Sequence, residues 1–153
     1  PGDRATDDFT NMAVAAVDPY NGNSIASFSS RGPTNCTSSG TSAIKPDIAA
    51  PGVSTRSSVP GGYSSYDGTS MASPHVNGVM ALMLSANPDL SSEQVKTIIY
   101  ETAVDMGSAG KDNDFGYGMI DALAAVNVAL GTVSLTVDYP NGRPSLLDPN
   151  GGT

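Results

Sequence analysis

Short apolar runs separated by turn residues predict several strands in the first sixty residues. Residues 11–17 (Asn-Met-Ala-Val-Ala-Ala-Val) are mostly apolar and end at Asp-Pro and Asn-Gly, which is typical of a buried strand followed by a turn. Residues 24–29 alternate weakly and predict a second strand. Residues 47–50 and 53–57, separated by Pro-Gly, predict two more, and a loop of small residues over 30–42 is expected before them.

Three segments further along the chain predict helices. Residues 68–88 carry no formal charge, and their apolar stretch is far shorter than the ~20 residues of a membrane span, so they predict a buried core helix. Pro74 is expected in its first turn, where a missing N–H is tolerated. Residues 91–94 (Ser-Ser-Glu-Gln) match a capping box and predict the start of a second helix. A third helix is expected over 121–130, ending at Gly131.

The end of the chain follows a different pattern. Residues 132–139 alternate strictly between polar and apolar side chains, and Pro, Asn and Gly become frequent after them. This pattern predicts a main domain over residues 1–131. Residues 132–153 would then form a short β tail, an edge strand and linker toward a further β-rich domain.

The amino-acid composition limits the kinds of molecule that the chain can bind. The chain has 7 Lys and Arg against 15 Asp and Glu, a net charge of -8, and no basic cluster. These numbers exclude a site for nucleic-acid phosphates and argue against binding to an anionic membrane surface. With 39% hydrophobic residues, 17 Gly and 11 Pro, the chain is too apolar for disorder and too interrupted for a coiled coil. A loop-rich globular domain is expected.

Single copies of two residue types limit the chemistry further. Cys36 is the only cysteine and His75 the only histidine, so the chain can form neither an internal disulfide nor a closed zinc site of soft ligands. The first residues show neither an initiator Met nor the charged and then apolar pattern of a signal peptide. We therefore expect a piece of a longer protein.

Ser70 lies in a setting suited to nucleophilic chemistry. It is the fourth residue of the stretch 67–75 (Asp-Gly-Thr-Ser-Met-Ala-Ser-Pro-His), and Gly68 before it allows a tight turn. A helix that begins at or just after Ser70 directs free N–H groups and the positive end of its dipole at the hydroxyl. Such a position stabilises a developing oxyanion.

Two familiar arrangements of a catalytic serine do not fit. The Gly-x-Ser-x-Gly elbow is nearly matched, but Ala72 replaces its second glycine and no histidine follows His75, as the α/β-hydrolase order requires. His75 lies five residues after Ser70, about 140° around a helix, so the two side chains diverge. We interpret His75 as a packed or hydrogen-bonded residue of the helix. Ser70 therefore has no base in this chain.

Four motifs in order resemble the subtilisin-like serine protease family, the subtilases. Residues 68–76 match its nucleophile segment at every defining position, residues 26–30 and 45–52 resemble the segments before it, and residues 116–122 resemble its closing helix. The resemblance covers roughly residues 1–130, and within the family the bacillopeptidase F type is most similar. It implies an α/β fold, the C-terminal half of a subtilisin-like fold, with parallel sheet strands and packed helices.

The resemblance also implies roles for individual residues. Ser70 matches the nucleophile, and its backbone N–H matches half of the oxyanion hole, whereas the family's catalytic Asp and His and its oxyanion Asn have no counterpart in this chain. Thr69 and Met71 match positions beside the nucleophile, so a peroxide-sensitive site is expected. Tyr66 and Phe28 match positions on the leaving-group side of the substrate cleft. Met71, Tyr66 and Phe28 are also compatible with packing alone.

No cofactor is implied for this chain, although the resemblance leaves room for calcium in the parent protein because many relatives bind it. Asp112, Asn113 and Asp114 are a candidate for that ion, but calcium takes six to eight oxygen ligands. We therefore interpret these three residues as a polar turn and expect no metal in this chain.

Taken together, the resemblance implies a secreted, bacterial-type serine endopeptidase of which this chain is an incomplete catalytic domain, inactive alone. Its expected partners are a protein or peptide substrate and the missing N-terminal half of the domain, or a second copy of the chain joined through an exposed strand edge. The alternative is a non-catalytic subtilisin-like scaffold, a binding or assembly module in which Ser70 only caps a helix.

Overall fold

A computed structural model of the chain describes residues 11–34 and 42–132, and these form an α/β structure. The elements in chain order are β1 (Val14–Asp18), β2 (Ser24–Ile25), β3 (Ile48–Pro51), β4 (Thr55–Val59), β5 (Gly62–Tyr66), α1 (Thr69–Ala86), α2 (Ser92–Thr102) and α3 (Ala122–Ala129).

The larger sheet has the strand order β2-β1-β3, and its two longer strands run parallel. The parallel pair and its packed helices confirm the expected class of fold. β2 pairs with β1 in the antiparallel direction over two residue pairs only. The strand predicted over 24–29 is therefore too long, because the chain turns after β2 and the Ser29 hydroxyl accepts the next N–H of β1, from Ala16, at 3.0 Å.

A second, antiparallel pair is formed by β4 and β5, from Thr55 opposite Tyr66 to Val59 opposite Gly62. The strand expected over 53–57 begins two residues later than predicted, since Ser54 turns the chain with a φ of 52°. β5 was not predicted at all. Its side chains are mostly exposed, so no apolar alternation signals it.

The core lies between the larger sheet and the helices. α1 packs on β1 and β3 and also contacts α3, which in turn contacts α2. Its largest fully buried side chains come from β3, α1 and α2: Ile48, Val76, Met83, Ile98 and Ile99. Alanines of β1 and β3 complete this core and leave the face of the sheet flat enough for α1 to approach it closely. Val17 belongs instead to a smaller cluster with Ala15, Ala49 and Phe115.

α1 is buried along one face only, which corrects the expectation of a buried core helix. Its buried side chains are Ala72, Val76, Val79 and Met83. On the opposite side an exposed and uncharged surface, called the outer face below, is formed by Ser70, Pro74, Gly78, Ala81 and Ser85. The lack of charge over residues 68–88 thus reflects an apolar surface as well as the core.

α1 begins earlier than predicted, and this changes the helical turn in which Pro74 lies. The helix begins at Thr69 because the Gly68 carbonyl accepts the N–H groups of Met71 at 3.0 Å and Ala72 at 3.2 Å. Pro74 is consequently the sixth helical residue and lies in the second turn, so its placement in the first turn was wrong.

The predicted ends of the other helices are confirmed. The capping box before α2 is complete: the Gln94 N–H donates to the Ser91 hydroxyl at 3.2 Å, and the Ser91 N–H donates to the Gln94 side chain at 2.8 Å. α3 is capped by the Asp121 carboxylate, which accepts the Ala124 N–H at 2.9 Å. Gly131 follows this helix with a φ of 70°, as a C-terminal glycine should.

A buried carboxylate fixes the amino end of β3. Asp47 is 3% exposed and accepts hydrogen bonds from the ammonium groups of Lys45 at 2.6 Å and Lys111 at 3.0 Å and from the Ala13 N–H at 2.9 Å. Lys111 also lies 5.0 Å from the ring centroid of Tyr117. This cluster joins β3 to the loop before α3, and nothing in the local sequence pattern indicated it.

Among the residues described, no helix combines the length and apolarity that a membrane crossing requires. Three of the sequence-based expectations fall largely outside the described residues. These are the edge strand and linker of residues 132–153, the domain boundary at 131, and most of the loop of small residues over 30–42.

Candidate active site

The segment that carries Ser70 is attached to the carboxyl ends of two parallel strands. The Gly52 N–H donates to the Val17 carbonyl at 2.9 Å, and the Gly68 N–H donates to the Gly52 carbonyl at 2.8 Å. Two backbone hydrogen bonds thus lead from β1 through Gly52 to the turn before α1. The carboxyl edge of a parallel sheet is where open α/β proteins place their sites.

Gly52 allows this close approach because it has no side chain. A Cβ atom at that position would lie 2.6 Å from the Ala16 Cβ and 2.8 Å from the Gly68 carbonyl oxygen. Both separations are shorter than any van der Waals contact, so a larger residue would push the turn before α1 away from the sheet. The geometry at Ser70 therefore depends on a glycine eighteen positions earlier in the chain.

Asp67 adds a side-chain bond to this junction. Its Oδ1 atom accepts the Ser54 N–H at 2.7 Å, which joins the loop after β3 to the loop before α1. Ser54 has a positive φ, so the loop is held in a conformation that few residues adopt. The segment that carries Ser70 is thus fixed to the sheet at two points.

Ser70 is the second residue of α1 and is exposed. Within the part of the chain that the structure describes, neither its hydroxyl nor its N–H has a hydrogen-bond partner, whereas the N–H groups of Met71 and Ala72 both donate to Gly68. A free N–H at the start of an eighteen-residue helix is a ready donor to an oxyanion. Ser70 and the buried Ala72 lie about 200° apart around the helix, so Ser70 points away from the core.

Three of the predicted cleft residues lie in the same turn as Ser70. Tyr66 ends β5 and is 51% exposed, and Thr69 and Met71 flank the serine and are partly buried. The Met71 sulfur folds back toward Gly68, 3.4 Å from where a Cβ atom would stand on that glycine. Thr69 and Met71 are thus direct neighbours of Ser70 in α1, and Tyr66 is the last strand residue before the turn.

Phe28 reaches this region by a different route. It follows β2, is 48% exposed, and precedes Ser29, whose hydroxyl is bonded to β1. It is therefore attached to the same strand as the turn that carries Ser70.

His75 is hydrogen-bonded within α1, as expected, but it is exposed rather than packed. Its Nδ1 atom lies 2.9 Å from the Met71 carbonyl oxygen. A carbonyl oxygen can only accept, so Nδ1 carries the hydrogen. The imidazole is thus bonded to the backbone of its own helix and not to the Ser70 hydroxyl.

The acidic stretch 112–114 forms the polar turn that was predicted. Asp112 accepts the N–H groups of Phe115 and Asp114 on one carboxylate oxygen and that of Ser108 on the other, at 2.7 to 2.9 Å. Burial raises the pKa of Asp112, but these three donors outweigh it and lower the pKa below its usual value. Within the described ranges 11–34 and 42–132, no cluster of three or more His, Cys, Asp or Glu residues is arranged to hold a metal ion.

Sequence reasoning missed the residues that position the site. Pro51 and Gly52 gave a turn signal, but nothing indicated that Gly52 contacts Gly68. Asp67 stood in the quoted motif without a role, and its bond to Ser54 joins positions thirteen residues apart. A single sequence carries no signal for such contacts.

Comparison with known proteins identifies the family of the chain. The model of the subtilase family matches residues 6–118. Bacillopeptidase F of Bacillus subtilis (strain 168) is 41% identical over 116 residues, and minor extracellular protease Vpr of the same strain is 46% identical over 100. Subtilisin of Bacillus pumilus is 41% identical over 117 residues. These alignments cover 70%, 61% and 76% of this chain, but only 8%, 11% and 37% of the respective relatives. The chain thus spans a minor part of each relative.

Proposed function

We propose that this chain, which belongs to the subtilase family, supplies the nucleophile of a serine endopeptidase whose catalytic domain extends beyond the chain. The observation that carries the proposal is the placement of Ser70. The serine is exposed at the second position of α1, at the carboxyl edge of the parallel strands, and its N–H and hydroxyl are free of other described residues.

The proposed reaction is hydrolysis of a peptide bond through an acyl-enzyme. The Ser70 oxygen bonds to the peptide carbonyl carbon while its proton passes to an imidazole base, and that proton then leaves with the amine as the C–N bond breaks. Water, deprotonated by the same base, cleaves the serine ester and restores the hydroxyl. The Ser70 N–H donates to the oxyanion that forms in both steps.

The base must come from outside this chain. His75 is the only histidine, and its Nδ1 hydrogen is bonded to the Met71 carbonyl. We therefore propose that the catalytic Asp and His and the second oxyanion donor, an Asn, lie in another part of the parent protein. The 153-residue chain alone should be inactive, and calcium, if the parent requires it, should be bound elsewhere in that protein.

The outer face of α1 is the proposed contact for that missing part. It begins at Ser70 itself, so a segment that covers it can bring an imidazole to the serine. Its side chains are small and uncharged, which allows close packing. Leu82 and Leu84, which are 56% and 41% exposed, add apolar surface beside it. A second copy of the chain on the same surface is the competing arrangement, and light scattering of the isolated chain distinguishes a monomer from a dimer.

Tyr66 and Phe28 are proposed to line the leaving-group side of the cleft, with Thr69 and Met71 beside the reacting atoms. Both aromatic rings are about half exposed, so they present apolar surface to a bound protein or peptide. We infer a secreted protein, because one of the similar relatives is named an extracellular protease.

Labelling with a fluorophosphonate tests the nucleophile directly, because the reagent phosphonylates only an activated serine. The full-length protein that contains this chain should be labelled at Ser70, and Ser70→Ala should abolish labelling. Ser73→Ala is the matched control, since Ser73 lies in the same helix three residues on and should leave labelling unchanged. The isolated 153-residue chain should not react.

Two results would count against the proposal. A full-length protein that is folded but not labelled would favour the non-catalytic scaffold, in which Ser70 has only a structural role at the start of α1. Peptide hydrolysis by the isolated chain that disappears in Ser70→Ala would show instead that the chain needs no outside base.

A further inference from the structure

The turn of α1 that carries Ser70 has fewer hydrogen bonds than the rest of the helix. In an α-helix the Ser70 carbonyl accepts from the N–H of residue 74, but Pro74 has none. Gly68 provides no side-chain cap, and no acidic residue stands in the first turn. The peptide group that follows Ser70 is therefore held on its N–H side alone, by the bond from Met71 to Gly68.

His75 supplies a bond at the next peptide group. Its Nδ1–H donates to the Met71 carbonyl at 2.9 Å, while the N–H of the same peptide group, which belongs to Ala72, donates to Gly68. The peptide group between Met71 and Ala72 is thus held at both ends. One of these bonds comes from a side chain that lies beyond the proline, in the following turn.

We propose that His75 is a positioning residue for the nucleophile, a role that rests on the proposed function. Its imidazole adds a side-chain donor to the Met71 carbonyl, which in a regular helix also accepts the His75 backbone N–H. This extra bond lies one peptide group after the Ser70 carbonyl that Pro74 leaves without a donor, and so fixes the direction of the Ser70 hydroxyl and N–H. The imidazole does not touch the substrate, and it acts through the Met71 carbonyl.

Two variants of the full-length protein separate this role from mere packing. His75→Asn retains an N–H donor close to the Nδ1 position, whereas His75→Leu keeps a similar volume and removes the donor. Fluorophosphonate labelling of Ser70 should slow about threefold to tenfold in His75→Leu, the effect expected from the loss of one hydrogen bond. Labelling of His75→Asn should stay within about twofold of wild type. In peptide hydrolysis, His75→Leu should lower kcat and leave KM unchanged.

Nitrogen-15 NMR of the imidazole tests the hydrogen bond independently of activity. The His75 signals are identified by their absence in His75→Asn, and a hydrogen on Nδ1 that is bonded to the Met71 carbonyl is expected. A ring protonated at Nε2, or equal labelling rates for His75→Leu and wild type, would overturn the inference.

If the wild-type protein is not labelled, the proposed function fails. Amide hydrogen exchange measured by NMR then tests the hydrogen bond between His75 and Met71 separately. Faster exchange at Ala72 in His75→Leu than in His75→Asn would support the bond between the two turns. Equal exchange in the two variants would refute it.

Discussion

The two ends of strand β3 are fixed by opposite kinds of interaction. At its amino end the buried Asp47 carboxylate accepts from Lys45, Lys111 and a backbone N–H. At its carboxyl end Gly52 contributes only backbone hydrogen bonds and a close contact with Gly68. Charge therefore stabilises the end that is remote from the nucleophile segment, and the absence of a side chain shapes the end beside it.

Substitutions at the two ends should therefore have different effects. Removing a partner from a buried ion cluster leaves uncompensated charge and lowers stability. Adding a methyl group at a tight backbone contact displaces whatever it touches. The amino end should thus control how stably the protein folds, and the carboxyl end should control where Ser70 lies.

The largest effect on stability is expected from Asp47→Ala. The substitution leaves two ammonium groups without their carboxylate, so the free energy of unfolding should fall by about 3–5 kcal/mol in urea titrations. Asp114→Ala is the control, because its ion pair with Arg31 is exposed and should contribute less than about 1 kcal/mol. Equal losses in the two variants would contradict the role given to the buried cluster. The labelling rate of Ser70 in the folded fraction of Asp47→Ala should match wild type.

Gly52→Ala should have a smaller effect on stability and a large one on reactivity. The added Cβ overlaps Ala16 and Gly68, which should lower the free energy of unfolding by about 1–3 kcal/mol. Displacement of the turn by about 1 Å should slow fluorophosphonate labelling of Ser70 roughly 10- to 100-fold.

Gly78→Ala is the matched control for the effect of Gly52→Ala on stability. Gly78 is exposed inside α1, and an added Cβ would meet no atom within 4 Å. Replacement of a helical glycine by alanine should raise the free energy of unfolding by about 0.5–1 kcal/mol in the isolated chain. If Gly52→Ala were labelled as fast as wild type, the carboxyl end of β3 would not position the nucleophile.

The smallest effect on stability is expected from Asp112→Asn. This substitution removes a charge in the loop before α3, outside both ends of β3. Because its folded-state pKa is lowered, Asp112 contributes stability above the ordinary aspartate pKa and loses it as the pH falls through the lowered value. Asp112→Asn should reduce stability at neutral pH by less than about 1 kcal/mol and make the loss of stability below pH ~4 less steep. If the free energy of unfolding fell at low pH as steeply in Asp112→Asn as in wild type, Asp112 would not make this contribution to stability.

Local signals in the sequence were sufficient for several elements. The capping box of Ser91 and Gln94 was predicted and is complete, because each of its hydrogen bonds joins residues three positions apart. The buried strand predicted over 11–17 is present but begins three residues later, at Val14–Asp18; it was found because an apolar run followed by turn residues is a short-range pattern. The subtilase resemblance rested on similarly short motifs, and the family match confirms it.

The candidate site was predicted only in part. Tyr66, Thr69 and Met71 lie beside Ser70 because they are its neighbours in sequence, so a motif was enough to name them. The position of Pro74 was wrong by one helical turn, since the start of α1 depends on the Gly68 carbonyl rather than on the proline. β5 was missed because its exposed polar residues carry no apolar pattern.

Local patterns along the chain were enough to indicate most of the elements, the segment that carries Ser70 and the family, because each pattern involves residues close together in sequence. The folded chain was needed to show that Gly52 supports Gly68, that Lys111 reaches Asp47 across 64 positions, and that Ser70 points away from the core. These contacts depend on distances through space. Packing of α1 on the parallel strands sets those distances, and no local pattern in the chain records them.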